Sequence, residues 1–269
     1  MITSLRGSNT CPPLPAGAIK ATKTGQKAWD YCIDLAEAVH PCARRGLMNN
    51  SPLTRGFECG HTATPLIVGG TPATANEFPH MVLLGFSNDP IQWDCGGTLI
   101  SKDWVMTAAH CTYNRNTGTN VTHIRLGGGD SNSTLPPQYH YRVTQIVSHP
   151  EYIAPSIYND IALLKTDRSV KFAKNVRPAC LHTGNPVNDE KTIATGWGTT
   201  ATRGKKSGSL LKGDSGGPLQ IYNDAAVECT YLVLGVTSNG KVCGIVGQPA
   251  IYTRVSAFIP WIEGIVWPN

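Results

Sequence analysis

The chain has 269 residues, 41% of them apolar and 15% charged, with a formal net charge of +5. Such a composition supports the buried core of one or two domains and excludes a disordered or low-complexity chain. The basic residues are scattered, the densest run being Arg203-Gly204-Lys205-Lys206, so they read as solvated surface and no nucleic-acid partner is expected. No apolar run reaches the ~20 residues of a membrane span, and the C-terminal apolar stretch is broken by Pro260 and Glu263.

Residues 1–66 contain Pro12-Pro13, Asn49-Asn50-Ser51-Pro52 and a single helical pattern, roughly Gln26 to Val39, and read as an appendage rather than a second core. The first thirty residues lack the roughly 7–15-residue apolar segment of a secretory leader, so export has to be argued from other features. Nine cysteines, without Cys-x-x-Cys or Cys/His metal spacing, favour disulfides over zinc and hence an oxidising compartment. Asn49, Asn120 and Asn132 each begin an Asn-x-Ser/Thr triplet, which agrees with a secreted glycoprotein.

From Ile67 onward, short apolar runs alternate with turn residues. They cover His80 to Phe86, Gly97 to Ser101, Trp104 to Thr107, His123 to Leu126, Tyr139 to Val147, Ile161 to Leu164, Thr192 to Thr195, Pro218 to Tyr222 and Tyr231 to Thr237. Many short strands with Gly-rich turns predict an all-β sandwich or barrel. The tail differs: Phe258, Ile259, Trp261, Ile262, Ile265 and Val266 fall near a 3.6 spacing, with Ser256 as the expected cap and Pro260 tolerable in the first turn.

Four motifs carry chemistry: Ile67-Val68-Gly69-Gly70, Thr107-Ala108-Ala109-His110-Cys111, Asn159-Asp160-Ile161-Ala162-Leu163-Leu164 and Gly213-Asp214-Ser215-Gly216-Gly217-Pro218. A serine hydroxyl is a poor nucleophile at neutral pH, so a neighbouring imidazole must take its proton as attack proceeds. Glycines flanking a serine allow a tight turn that exposes the hydroxyl and aims main-chain N–H groups at one point. In this order the motifs resemble the chymotrypsin-like (trypsin-fold) serine proteases.

That resemblance implies two six-stranded antiparallel β-barrels with a C-terminal helix, an N-terminal pro-segment over 1–66 and a catalytic domain over 67–269. It implies a catalytic triad of Ser215, His110 and Asp160, an oxyanion hole from the N–H groups of Gly213 and Ser215, and no metal or organic cofactor. Cleavage between Leu66 and Ile67 would free an α-amino group to pair with Asp214 and order the oxyanion loop. A leucine before that bond points to an upstream activating protease of chymotrypsin-like preference. Ser238, Gly240 and Ala250 fall where the family binds the substrate peptide. Cys95 and Cys111 match the bridge around the histidine, and Cys59 and Cys180 the link that keeps the pro-segment attached.

The nearest subgroup is the arthropod snake-like or clip-type cascade proteases, resembled through Ala28-Trp29-Asp30-Tyr31-Cys32, Glu77-Phe78-Pro79-His80-Met81 and Ile259-Pro260-Trp261-Ile262-Glu263. A clip domain has six cysteines, whereas residues 1–58 hold only Cys11, Cys32 and Cys42. Membership implies secretion, protein substrates and serpin-type inhibitors as partners.

One departure is large. In the family, about fifty residues separate Gly196-Trp197-Gly198 from the nucleophile, but here only residues 199 to 212 precede the serine motif. A block is therefore expected to be missing between Lys212 and Gly213, including the floor of the primary pocket and part of the second barrel. The resemblance leaves Cys243 and Cys229 without partners on the same side of that junction. Two readings follow: a serine endopeptidase zymogen, or a catalytically silent variant or pseudoprotease that acts as a binding protein.

Overall fold

The computed structural model describes residues 10–44, 51–59, 73, 76–87, 89–127, 137–187, 191–197, 215–223, 226–239 and 250–268. The N-terminal part contributes helices α1 (Lys27–Asp34) and α2 (Ala36–Val39) and the hairpin strands β1 (Cys42–Arg44) and β2 (Leu53–Arg55). Next come β3 (Met81–Phe86), β4 (Gln92–Leu99), β5 (Trp104–Thr107), β6 (Tyr113–Asn114), β7 (Thr119–Leu126), β8 (His140–Ser148) and β9 (Ala162–Thr166). The second half holds β10 (Cys180–Leu181), β11 (Ile193–Ala194), β12 (Pro218–Tyr222), β13 (Tyr231–Asn239), β14 (Ile251–Arg254) and helix α3 (Ile259–Val266).

Six of these strands form a closed barrel, in the order β3-β4-β5-β9-β8-β7 with β7 pairing back to β3. The sequence dictates it locally. Every residue of β3 (MVLLGF) and of β5 (WVMT) is buried, so both strands need cover on two sides. Closure covers their inner faces and removes free edges, while Trp197 and Phe78 cover Met81 and Leu83 on the other face of β3. Leu84, Leu99, Met106, Ile124, Leu126, Leu163 and Leu164 of its strands are all at 0% exposure.

Among the described residues the second half forms an open five-stranded sheet, with β13 at its centre. The first part of β13 pairs with β10 and its later part with β14, while β12 lies along the other side and β11 extends from β12. A full second six-stranded barrel is thus not what the described residues form. The C-terminal helix lies where the apolar spacing placed it, with Pro260 in its first turn. Its cap differs: Ser256 sits inside a 3-10 turn over Val255–Phe258, and Phe258 is the residue at the helix start.

The N-terminal segment is more than an appendage. Cys32, Ile33, Leu35 and Ala36 share one apolar cluster with Cys180, Ile221, Val227 and Leu232 of the second half. Ile19 bridges to Val227, and His40 Nε2 lies 2.6 Å from Glu228 Oε1. Helix α1 also meets α3, where Glu263 accepts the N–H of Ala28 at 2.8 Å and Lys27 donates to the Trp267 carbonyl at 2.8 Å.

The cysteines correct the expected tether. Cys32 pairs with Cys180 and Cys59 with Cys229; Cys11–Cys42 ties the start of the described chain to β1, and Cys95–Cys111 encloses the histidine. Cys59 and Cys180 are therefore not partners, and Cys229 is not an orphan. The reason is the docking of α1, whose inner face carries Cys32 onto β10. Cys59 is delivered elsewhere, because the buried Arg177 guanidinium donates to the Glu58 carbonyl beside Cys229. Cys243 lies outside the described residues.

An N-terminal segment built into the core has a measurable consequence. Leu35, 4% exposed, truncated to alanine should lower the stability of the whole chain by about 2–4 kcal/mol. Urea denaturation should record that loss as one cooperative shift; an unchanged midpoint would mean that the segment is dispensable.

Candidate active site

His110 stands in a short 3-10 turn, Ala109–Thr112, directly after β5. The Cys95–Cys111 disulfide pins that turn to β4 across a 16-residue separation, a loop closure that contributes roughly 3 kcal/mol by chain entropy. Cys95 itself has φ +56 next to a break in the β3–β4 register, so a bulge turns its sulfur toward Cys111.

Asp160 enters from the opposite side, at the turn before β9. Asn159 precedes it with φ +55, a left-handed conformation that asparagine tolerates better than most residues. Both carboxylate oxygens of Asp160 serve one residue: Oδ1 accepts the backbone N–H of His110 at 2.9 Å, and Oδ2 lies 2.7 Å from His110 Nδ1. Ser238 donates its hydroxyl to the same Oδ2 at 2.5 Å, and Thr253 donates to the Asp160 carbonyl at 2.9 Å. An ionised carboxylate only accepts, so Nδ1 carries a proton, and Nε2 is the nitrogen turned away from Asp160.

Asp160 is 2% exposed. Burial alone would raise its pKa; the hydrogen bonds from His110 and Ser238, with the attraction of the imidazolium, outweigh it and hold the carboxyl below its usual range.

Ser215 is placed by contacts of its own main chain and of the two glycines that follow. Its carbonyl accepts the N–H of Gly96 at 2.8 Å, and Gly216 N–H donates to Thr237 at 2.8 Å, with Thr237 N–H returning to Gly217 at 2.9 Å. Gly216 has φ +79, and a Cβ there would come within 2.3 Å of Thr107 Oγ1 and 2.5 Å of the Gly96 carbonyl. Only glycine fits. Thr107 Oγ1 in turn donates to Gly96 at 2.7 Å, so the serine loop is seated on β4 and β5 immediately before the histidine turn.

Ser215, His110, Asp160 and Ser238 line one open cleft of about 610 Å³, together with Tyr113, Asn114 and Arg115 and with Tyr152, Pro155 and Ile157. The sulfurs of Cys95 and Cys111 and a ring nitrogen of His110 also lie within metal-ligand reach of one another. The two sulfurs are joined as a disulfide and have no thiolate to offer, so the cluster does not suit a metal.

Of the residues singled out in the sequence, His110, Asp160, Ser215 and Ser238 come together in this cleft. The hydroxyl of Ser238 is turned inward onto Asp160. Ala250 is exposed beside the start of β14 and is not part of the cleft lining. Gly213, Asp214, Leu66, Ile67 and Gly240 lie outside the described residues. Sequence reasoning missed Gly96, Thr107 and Thr253 as positioning residues; only Thr107 carried a signal, as the first residue of the histidine motif.

The Trypsin family matches residues 67–212 and 206–262. The chain belongs to that family. Among curated proteins it is 34% identical to "Serine protease snk" of Drosophila melanogaster, over 76% of this chain and 58% of that protein. It is 32% identical to "Phenoloxidase-activating factor 3" of Holotrichia diomphalia, over 82% of this chain and 78% of that protein. It is 29% identical to "Spaetzle-processing enzyme" of Drosophila melanogaster, over 83% of this chain and 72% of that protein. By family the chain is a serine endopeptidase, akin to insect cascade proteases.

Two outcomes follow from the geometry. Gly216→Ala should lose at least about 3 kcal/mol or shift the serine loop, because the clash is with a backbone carbonyl and a locked threonine. Differential scanning calorimetry would read it, and an unshifted melting temperature with a native serine loop would contradict the close approach. The second concerns pH. The Asp160 carboxyl titrates lower in the folded than in the unfolded chain, so its stabilisation is full above the unfolded value of about 3.8 and is lost as pH falls through the folded value. The stability gap between wild type and Asp160→Asn, measured in urea, should therefore be constant near neutrality and shrink below about pH 4.

Proposed function

We propose that this chain is the zymogen of an extracellular serine endopeptidase in a proteolytic cascade, hydrolysing protein substrates through an acyl-enzyme. The observation that carries the reading is the paired grip of Asp160 on His110 in a cleft that Ser215 also lines. With Nδ1 bound to Asp160, Nε2 is the nitrogen left to accept the Ser215 proton. Ser215 Oγ would then attack the substrate carbonyl, and the N–H groups of Gly213 and Ser215 would hold the negative oxygen of the tetrahedral intermediate. His110 returns the proton to the leaving amine, and water completes the cycle by the same route.

Activation would follow cleavage between Leu66 and Ile67 by an upstream protease of chymotrypsin-like preference, the new Ile67 amino group pairing with Asp214. The extracellular setting is supported by four disulfides among the described residues. Substrates and serpin-type inhibitors would be the protein partners, and the relatives' names place those proteins, not this chain, in phenoloxidase activation and Spaetzle processing. A second reading, a silent variant or pseudoprotease, is favoured by the open second sheet and by a family match in two segments that overlap at residues 206–212, next to the short approach to the serine.

A fluorophosphonate probe separates the two. After cleavage at Leu66, folded protein should be labelled at Ser215, with no labelling in Ser215→Ala and roughly 10⁴-fold slower turnover in Asp160→Asn, the drop known for the family's template. A folded, correctly cleaved chain that resists the probe would establish the silent form. The cleaved molecule should also stay in one piece under non-reducing electrophoresis. Replacing Cys32 or Cys59 alone should not release residues 1–66, because each leaves the other bridge intact.

A further inference from the structure

We propose that Asn120 carries an N-linked glycan on the rim of the active-site cleft, where it covers Tyr113 and restricts the approach of macromolecules. This rests on the extracellular reading above, since the modification belongs to the secretory route. Asn120-Val121-Thr122 is an acceptor triplet, and Asn120 is exposed while Val121 is buried at 2% exposure, so the strand presents the asparagine outward.

The register fixes where the sugar would stand. Asn120 on β7 is directly opposite Tyr113 on β6 in an antiparallel pair. Opposed residues share one face of the ribbon, with Cβ atoms about 5 Å apart. Tyr113 is 50% exposed and lines the cleft beside His110, so the first sugar on Asn120 sits against its ring. The ribbon is firmly held. Asn114 donates to Asp94 Oδ2 at 3.2 Å, its side-chain oxygen accepts the N–H of Asn116 at 2.8 Å, and the hydroxyls of Thr117 and Thr119 meet at 2.8 Å.

In the transfer, the Asn120 amide nitrogen bonds to the anomeric carbon of a lipid-linked oligosaccharide. The bond from that carbon to the diphosphate oxygen breaks, the polyisoprenyl diphosphate leaves with the electron pair, and the amide gives its proton to a base. The reaction takes place on the unfolded chain, before the Thr122 hydroxyl is enclosed by His123 Nδ1 at 2.8 Å and by the carbonyls of Gly85 and Ser87 at 3.3 and 3.4 Å.

The test is the full chain secreted from insect cells, analysed by glycopeptide mass spectrometry and hydroxyl-radical footprinting. Asn120 should be occupied; Asn120→Gln and Thr122→Ala should each lose one glycan, and Thr122→Ser should keep it. A secreted chain with bare Asn120 overturns the proposal. Oxidation of Tyr113 should rise several-fold in Asn120→Gln relative to the glycosylated protein, and equal oxidation overturns the placement on the rim. Neither readout needs a reactive Ser215, so failure of the protease reading would leave both intact.

Discussion

Gly216 lies against Thr107 and Gly96 with no room for a side chain, and the arrangement of the cleft depends on that contact. The residue after the serine touches the end of β5, and the chain that leaves β5 carries His110 three residues later. One close approach therefore ties the serine loop of the second half to the histidine turn of the first. The hydrogen bonds of Gly96 with Ser215 and of Gly216 with Thr237 hold the loop from both sides through its backbone.

Asp160 completes the connection between the halves. It belongs to the first barrel, but Ser238 and Thr253, which bond it, belong to β13 and β14 of the second sheet. A buried carboxylate is costly unless fully engaged, and here two side chains and one amide engage it, while Thr253 holds the main-chain carbonyl of the same residue. Those bonds fix the tautomer of His110 and at the same time join the two sheets. Loss of the second sheet would thus be felt in the charge state of the site as well as in packing.

The N-terminal segment plays a comparable role on the far side of the open sheet. It covers Ile221, Val227 and Leu232 with Ile33 and Leu35, and two disulfides hold it there. Apolar sheet faces need a cover, and residues 10–59 provide one for this sheet. Because both bridges cross from this segment into the second half, cutting the connecting linker need not uncover that face.

Much of this was legible in the sequence. Strand periods placed β5 and β12 at their observed limits, and the alternation of short apolar runs with glycine turns indicated an all-β fold. Residue order also singled out His110, Asp160 and Ser215, which the fold brings to one cleft, because the chemistry of nucleophilic catalysis demands those side chain types whatever the backbone does. Short pairings such as β6, β10 and β14 were not legible, since two to four residues carry no period and depend on a neighbouring strand for their hydrogen bonds.

Amino-acid order by itself determined which side chains could do chemistry, that cysteines would be oxidised, and that the segment before Ser215 is short. Only the tertiary structure decided that Cys32 meets Cys180 and Cys59 meets Cys229, because the docking of α1 chooses among thiols that are equivalent in sequence. It likewise decided that Ser238 serves Asp160 and that Gly216 must be glycine. These are contacts between residues up to 170 positions apart, for Cys59 and Cys229, and no local pattern encodes a distance across space.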